Sequence, residues 1–340
     1  MQSKPGFYLA VFATFLAFFV VGLGAYTRLT HAGLGCPDWP GCYGFLTVPE
    51  STQSLQLAQA RYPDAPVETE KGWIEMAHRY AAGLLILVVL ALLFQCIRHR
   101  KTTGQPLFHP LLIFVLILFQ AIFGMWTVTL KLWPQIVTTH LLGGFSLLCL
   151  LFLLSLRLAG FNPVLKKVSY LPQLRTVTTV SLLVVFLQIM LGGWTSANYA
   201  ALACPDFPQC QNQWWPDTDF SEGFSLSQSP GPNYQGGILA SDARTAIHMA
   251  HRIGAAIVLL FLAILIFLLM KARLYKSAGI ISILLVLQII LGIGNIAGQL
   301  PLGNAVAHNL GGALLLLSIV GLAFYFHRYA QQRRVTTEKG

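Results

Sequence analysis

Apolar positions along the chain gather into eight long stretches separated by polar connections, at about 7–27, 73–97, 107–130, 136–158, 174–198, 244–270, 277–298 and 304–326. A bilayer-spanning helix needs roughly 20 mostly apolar residues, and each stretch meets that length. Lipid leaves no water for exposed backbone groups, so stretches of this kind are predicted to be helices. The pattern therefore predicts an all-α integral membrane protein with eight transmembrane helices and no soluble domain of any size. The first stretch could be taken for a secretory leader. It is long, however, and no convincing small-residue cleavage site follows it, so it reads as a retained helix.

Composition agrees: 55 % of the 340 residues are hydrophobic and 10 % charged, with a mean hydropathy of +0.65. An ordinary soluble domain carries about 25 % charged residues. Charge then sets the orientation, because basic residues collect in cytoplasmic connections. With the N-terminus inside, that face holds Lys4, Arg98, Arg100, Lys101, Arg157, Lys166, Lys167, Arg175, Lys271, Arg273, Lys276, Arg328, Arg333, Arg334 and Lys339. These are 15 of the 22 lysines and arginines. All acids except Glu338 lie in or beside the other set of loops. Both asymmetries place both termini in the cytoplasm. The net charge of +10 is then a topology signal and does not point to nucleic acid.

The chain also matches itself. GLGAYTRLTHAGLGCPDWPGC from Gly22 aligns with MLGGWTSANYAALACPDFPQC from Met190. Cys36 and Cys42 map to Cys204 and Cys210, Gln120 to Gln288, Gly124 to Gly292 and His140 to His308, all at an offset of 168. EMAHRY at Glu75 matches HMAHRI at His248 at an offset of 173, because the second half has the longer outer loop. The expected architecture is two pseudo-symmetric four-helix bundles, residues 1–160 and 170–330. Four helices per repeat send both halves into the membrane in the same direction, with the pseudo-axis along the membrane normal.

Four histidines recur in register: His78, His140, His251 and His308, each near the outer end of an even-numbered span. Ionisable residues inside a membrane are costly and usually functional. Imidazole is a common axial ligand of haem iron, and two facing imidazoles in a bundle can grip a macrocycle. The plainer reading is a histidine hydrogen-bonded across helices as packing glue. A zinc site lacks a third and fourth ligand, and no C-x-x-C-H motif for covalent haem is present. Gly83, Gly143, Gly144, Gly254, Gly311 and Gly312 would make room beside the histidines. Arg79 and Arg252 follow a histidine directly, where a guanidinium can pair with a haem propionate or act as an interfacial anchor.

The halves also differ. Glu75 lies one turn before His78 on the same helix face, and its counterpart is His248. A carboxyl beside the ligand plane can relay protons or stabilise positive charge; otherwise it is an interfacial acid near Arg79 or Lys71. Cys36 and Cys42 enclose PDWPG, and Cys204 and Cys210 enclose PDFPQ. Both pairs fall in loops on the oxidising side, where prolines favour a tight turn and a short disulfide, as a staple or as a redox-active pair. Cys96 and Cys149 lie in apolar runs and read as packing residues.

Taken together, Glu75-x-x-His78-Arg79, His140 before Gly143-Gly144, His251-Arg252, His308 before Gly311-Gly312 and the two cysteine pairs resemble the haem A synthase family over nearly the full chain. The paired cysteines resemble its bacterial branch, which implies the cytoplasmic (inner) membrane. The resemblance implies oxidation of a ring methyl of haem O to a formyl, with O2 as co-substrate, through two hydroxylations and loss of water. It further implies that His78 and His140, with Arg79, flank the substrate haem O and that Glu75 is the catalytic acid. His251 and His308, with Arg252, would hold a haem b cofactor through its iron, and disulfides would join Cys36 to Cys42 and Cys204 to Cys210. Its implied partners are the haem O synthase that supplies substrate, an electron donor outside the chain, and the lipid bilayer, with room for a homo-oligomer. Two other classes share the four-histidine pattern: a quinol-linked di-haem b electron carrier, and a haem transporter or chaperone.

Overall fold

The computed structural model describes residues 3–103, 107–160 and 168–337, the side chains of 102–103 and 333–337 excepted. Lys166, Lys167, Lys339 and Glu338, and the side chains of Arg333 and Arg334, used above for orientation, lie outside the described residues. The chain forms α1 (Phe7–Leu29), α2 (Thr52–Arg61), α3 (Thr69–Arg98), α4 (Arg100–Thr103), α5 (Phe108–Thr129) and α6 (Pro134–Leu158). It continues as α7 (Leu171–Ala197), α8 (Phe220–Gly223), α9 (Ser241–Lys271), α10 (Tyr275–Ala297) and α11 (Leu302–Thr337). Eight of these are long and apolar enough to cross a membrane, as the hydropathy pattern predicts. The chain is a multi-pass membrane protein. α3 and α9 begin about a turn before their apolar runs, because Thr69-Glu70-Lys71 and Ser241-Asp242 continue the helix into polar surroundings.

α1 shows how sequence assigns each face. Ala10, Ala13 and Ala17 are almost fully buried, whereas Tyr8, Phe12, Phe15 and Phe19 are exposed on the other side. Both sets repeat at the three- and four-residue spacing that keeps side chains on one helix face. Hydrocarbon is as apolar as leucine, so membrane helices associate through close packing; small residues allow that approach and bulky ones meet lipid. The buried alanines join one apolar cluster with Leu85, Val89, Leu92, Leu148, Leu151, Leu262, Leu265, Leu316 and Ile319, so the two halves share a core.

Contacts between helices repeat as the sequence does. In the first half α1 packs on α3 and α6, and α5 on α3 and α6; in the second, α7 packs on α9 and α11, and α10 on α9 and α11. The halves meet through α6 against α7 and α11, and α1 against α11. Helix ends match to the residue. After α1, Ala32 N–H returns to the Thr27 carbonyl at 2.9 Å with His31 at φ 54°; after α7, Ala200 N–H returns to Thr195 at 2.9 Å with Tyr199 at φ 54°. The long connection from Asn198 to Ala240 crosses to the other half: Trp133 Nε1 donates to the Gln228 carbonyl at 3.0 Å, and Tyr234 N–H to Lys131 at 3.1 Å. This crossing segment is what displaces the second-half register by five residues.

Candidate functional site

The four histidines sit in the second or third turn of α3, α6, α9 and α11, at the end of the molecule that carries the cysteine loops. His140 lies within electrostatic range of His78, and His251 within range of His308, so they form one pair per half. Among the described residues no three metal-ligating side chains converge. A β-carbon added to Gly24 would stand 3.1 Å from Cε1 of His78, and one at Gly124 would stand 3.4 Å from that of His140. The second half repeats this: Gly192 at 3.3 Å from His251 and Gly292 at 3.4 Å from His308. Gly24 and Gly192, like Gly124 and Gly292, differ by the repeat offset. Every imidazole is therefore backed by a glycine of the neighbouring helix, where a methyl group would push the ring.

The glycines three residues after the histidines have another role than making room for a ligand. A β-carbon on Gly143 would overlap the Gln120 amide, one on Gly254 the Gln188 amide, and one on Gly311 the Gln288 amide. Each is a notch filled by a glutamine. The Gln188 amide nitrogen donates to the His251 carbonyl at 2.9 Å and lies 3.1 Å from His251 Nδ1. His78 lacks this arrangement: Ala81 replaces the notch glycine and Val20 the glutamine. Gly83 meets nothing within 4 Å, and Gly144 and Gly312 only reach ordinary contact. Gln120 and Gln288 were visible as a matched pair in the sequence. Gln188 has no partner at the repeat offset, so only the shared His-x-x-Gly spacing pointed to it.

Arg79 and Arg252 are committed to the cysteine loops. Arg79 Nη1 donates to the carbonyls of Asp38 at 2.9 Å, Gly41 at 2.5 Å and Pro40 at 3.3 Å. Arg252 donates to Asp206 at 2.6 Å, Gln209 at 2.8 Å, Cys204 at 3.3 Å and Pro208 at 3.4 Å. Inside each loop an aspartate gathers two amides: Asp38 takes those of Tyr43 and Gly44 at 2.6 and 2.8 Å, and Asp206 those of Gln211 and Asn212 at the same distances. The amide of Asn212 is the largest of the influences that hold the Asp206 carboxyl below its usual pKa, and the Gln211 amide adds to it. Disulfides close both loops, Cys36–Cys42 and Cys204–Cys210, while Cys96 and Cys149 are free thiols in the apolar region. A bidentate cation gripping several carbonyls fixes a tight loop well, because a guanidinium presents its donors in a rigid fork.

Glu75 and His248 mark the clearest difference. Glu75 is buried; its Oε1 pairs with Arg79 Nη2 and its Oε2 accepts the Cys36 N–H at 3.0 Å. Both carboxylate oxygens thus have partners, one of them the disulfide's own backbone. His248 is buried too, and its Nδ1 donates to the Ala200 carbonyl at 3.0 Å. One half joins helix to loop through an acceptor, the other through a donor. The residues that meet across the pseudo-axis are different ones: Arg28 and Ser196, and His31 and Tyr199.

A family model described as "Cytochrome oxidase assembly protein", COX15-CtaA, matches residues 7–320. The chain belongs to the COX15-CtaA family. Among proteins of this family, "Heme A synthase" of Shewanella oneidensis is 48 % identical over 318 residues, covering 93 % of this chain and 95 % of the relative. Proteins of the same name from Bacillus licheniformis and Caulobacter vibrioides are 26 % and 25 % identical, over 94 % and 96 % of this chain and 93 % and 97 % of theirs. The family match spans both halves, so the paired histidines, the cysteine loops and Glu75 all fall within it.

The residues present fit a haem. Each half offers two imidazoles and no competing third ligand, each ring backed by a glycine. The Nδ1 atoms of His78, His140 and His308 are buried without a hydrogen-bond partner, so each of these rings keeps a buried nitrogen that an incoming group could satisfy.

Proposed function

We propose that this chain is a haem A synthase, a membrane oxidoreductase that converts a ring methyl of haem O to the formyl of haem A. The observation that carries the reading is one histidine pair per half, with a buried carboxylate beside the first pair only. Residues 1–160 form the substrate half, in which His78 and His140 flank haem O. Residues 170–330 form the cofactor half, in which His251 and His308 hold the iron of haem b. When bound, haem b supplies one-electron chemistry. O2 is the co-substrate, the electrons come from a donor outside the chain, and a haem O synthase provides the substrate.

Each residue of the chain has a definite task in this reading. His78 and His140 orient the substrate ring, and the glycines behind them fix the imidazole planes. Glu75 stands one turn from His78, where it can relay protons or stabilise positive charge that develops beside the ring. Arg79 holds that carboxylate while binding the first cysteine loop as a roof over the site, and Arg252 builds the same roof over the second. The Gln188 amide steadies α9 beside His251. The cysteine loops lie on the outer side and both termini in the cytoplasm of a bacterial inner membrane, a reading supported by the sequence pattern, which assigns 15 of the 22 basic residues to the tails and connections of the other side, and by disulfides, which persist in oxidising compartments.

The test is conversion by purified protein supplied with haem O, O2 and a reductant, the products being separated by chromatography. Haem A is expected from the wild type. From Glu75→Gln, unconverted haem O is expected with haem b still bound. Equal conversion by the variant would remove Glu75 from the reaction.

A further inference from the structure

Beyond the histidines and Glu75, a part-buried cation lies between the two halves, with no carboxylate to balance it among the described residues. Arg28, in the last turn of α1, donates from Nη2 to the Ser196 carbonyl at 2.5 Å, and its guanidinium lies 3.9 Å over the Tyr199 ring. His31 stacks on that ring at 5.6 Å with the planes 8° apart. The Arg28 Nε and the Tyr199 hydroxyl are both buried and without a hydrogen-bond partner. The ion pairs among the described residues are Lys71–Glu68 and Arg79–Glu75, so no acid reaches Arg28. Buried charge and buried donors are stable only when paired. Two orphan donors beside one another, one of them cationic, form a receptor for a carboxylate.

The structure assigns Arg28 and Tyr199 as the binding site for a propionate of the haem held by His78 and His140. The helix that carries Arg28 points to that haem. Arg28 is one turn beyond Gly24 on the same face of α1, and Gly24 backs the His78 ring. At the equivalent place the second half has Ser196, which offers no charge. Arg79 cannot take this role, because its guanidinium is committed to Glu75 and the loop carbonyls. His31 is held below its usual pKa by burial and then by the charges of Arg28 and Lys71. His31 and Tyr199 each follow a helix end in the left-handed region, as helix caps commonly do, and their rings stack where the halves meet.

This assignment rests on reading His78 and His140 as the substrate pair. The test titrates haem O and its dimethyl ester, which lacks carboxylates, into the detergent-solubilised full chain. His308→Ala leaves the first pair intact, and His140→Ala leaves the second. In the His308→Ala background, Arg28→Gln and Tyr199→Phe are each expected to weaken binding of the free acid about tenfold, as loss of a charge-assisted hydrogen bond does, and to leave the ester unchanged. Tyr199→Phe keeps the stacked ring, so its effect does not depend on the packing between halves. Equal loss for acid and ester, or no loss for either, overturns the carboxylate site. The same loss in the His140→Ala background overturns the assignment to the first haem. If His78→Ala and His140→Ala bind haem O like the wild type, the histidine-pair reading fails first and takes this one with it.

Discussion

The two cysteine loops are near copies, and the helices beneath them are not. Asp38 and Asp206 gather the equivalent pair of amides, Arg79 and Arg252 grip equivalent carbonyls, and both loops close with a disulfide over six residues of separation. Beneath that matched roof, position 75 is a carboxylate bonded to the Cys36 amide and position 248 an imidazole bonded to the Ala200 carbonyl. The first half has at position 28 a guanidinium whose Nε is buried without a partner, and the second has Ser196. The second has Gln188 beside its histidine and the first has Val20. Duplication thus preserved the disulfide loops together with the arginines and aspartates that shape them. The side chains beneath them diverged, leaving a carboxylate and a guanidinium in the first half where the second has an imidazole and a serine.

The largest expected effect is on haem occupancy. His251→Ala or His308→Ala is predicted to lose haem b, and His78→Ala or His140→Ala to keep it while conversion stops; haem extraction and chromatography read this directly. Glu75→Ala is expected to lower conversion by about 100-fold or more, the usual contribution of a positioned acid or base. His248→Ala should leave conversion within a few-fold. A comparable loss from His248→Ala would erase the contrast between the halves.

Breaking either disulfide, by Cys42→Ser or Cys210→Ser, should lower stability by about 2 kcal/mol, from the loop entropy of so short a ring. Only the first should also impair conversion, because the Cys36 amide is bonded to Glu75. Chemical denaturation in detergent run beside a turnover assay separates the two consequences. Among the glycines, Gly143→Ala and Gly311→Ala should each lower haem occupancy in their own half by displacing Gln120 and Gln288. Gly83→Ala, which meets nothing, should behave like the wild type.

The smallest effect concerns pH. Asp206 has its pKa held below the usual carboxylate value, so its contribution to stability is present above the unfolded value, about 3.9, and is lost as pH falls through the folded one. Asp206→Asn should melt slightly earlier at neutral pH, and the difference should close in acid.

Much of this was legible in the sequence. Eight apolar runs, the 168-residue offset and the four histidines follow from hydrophobic length and from matched positions, which survive without knowledge of the fold. The tasks of Arg79 and Arg252 did not, because a loop's carbonyls converge only after it has folded, and the sequence suggested a propionate instead. Gly143, Gly254 and Gly311 read as space for a ligand, and the structure fills them with Gln120, Gln188 and Gln288. Arg28 gave no signal at all. Its meaning depends on lying where the two halves touch, and its partner there, Ser196, is its own counterpart in the repeat.

The central claim is that two similar halves hold two different haems. Extraction of haems from the purified wild-type protein, followed by chromatographic identification, tests it most directly. Haem b together with haem O or haem A is predicted. Two equivalents of haem b alone would contradict it and make the chain a di-haem electron carrier.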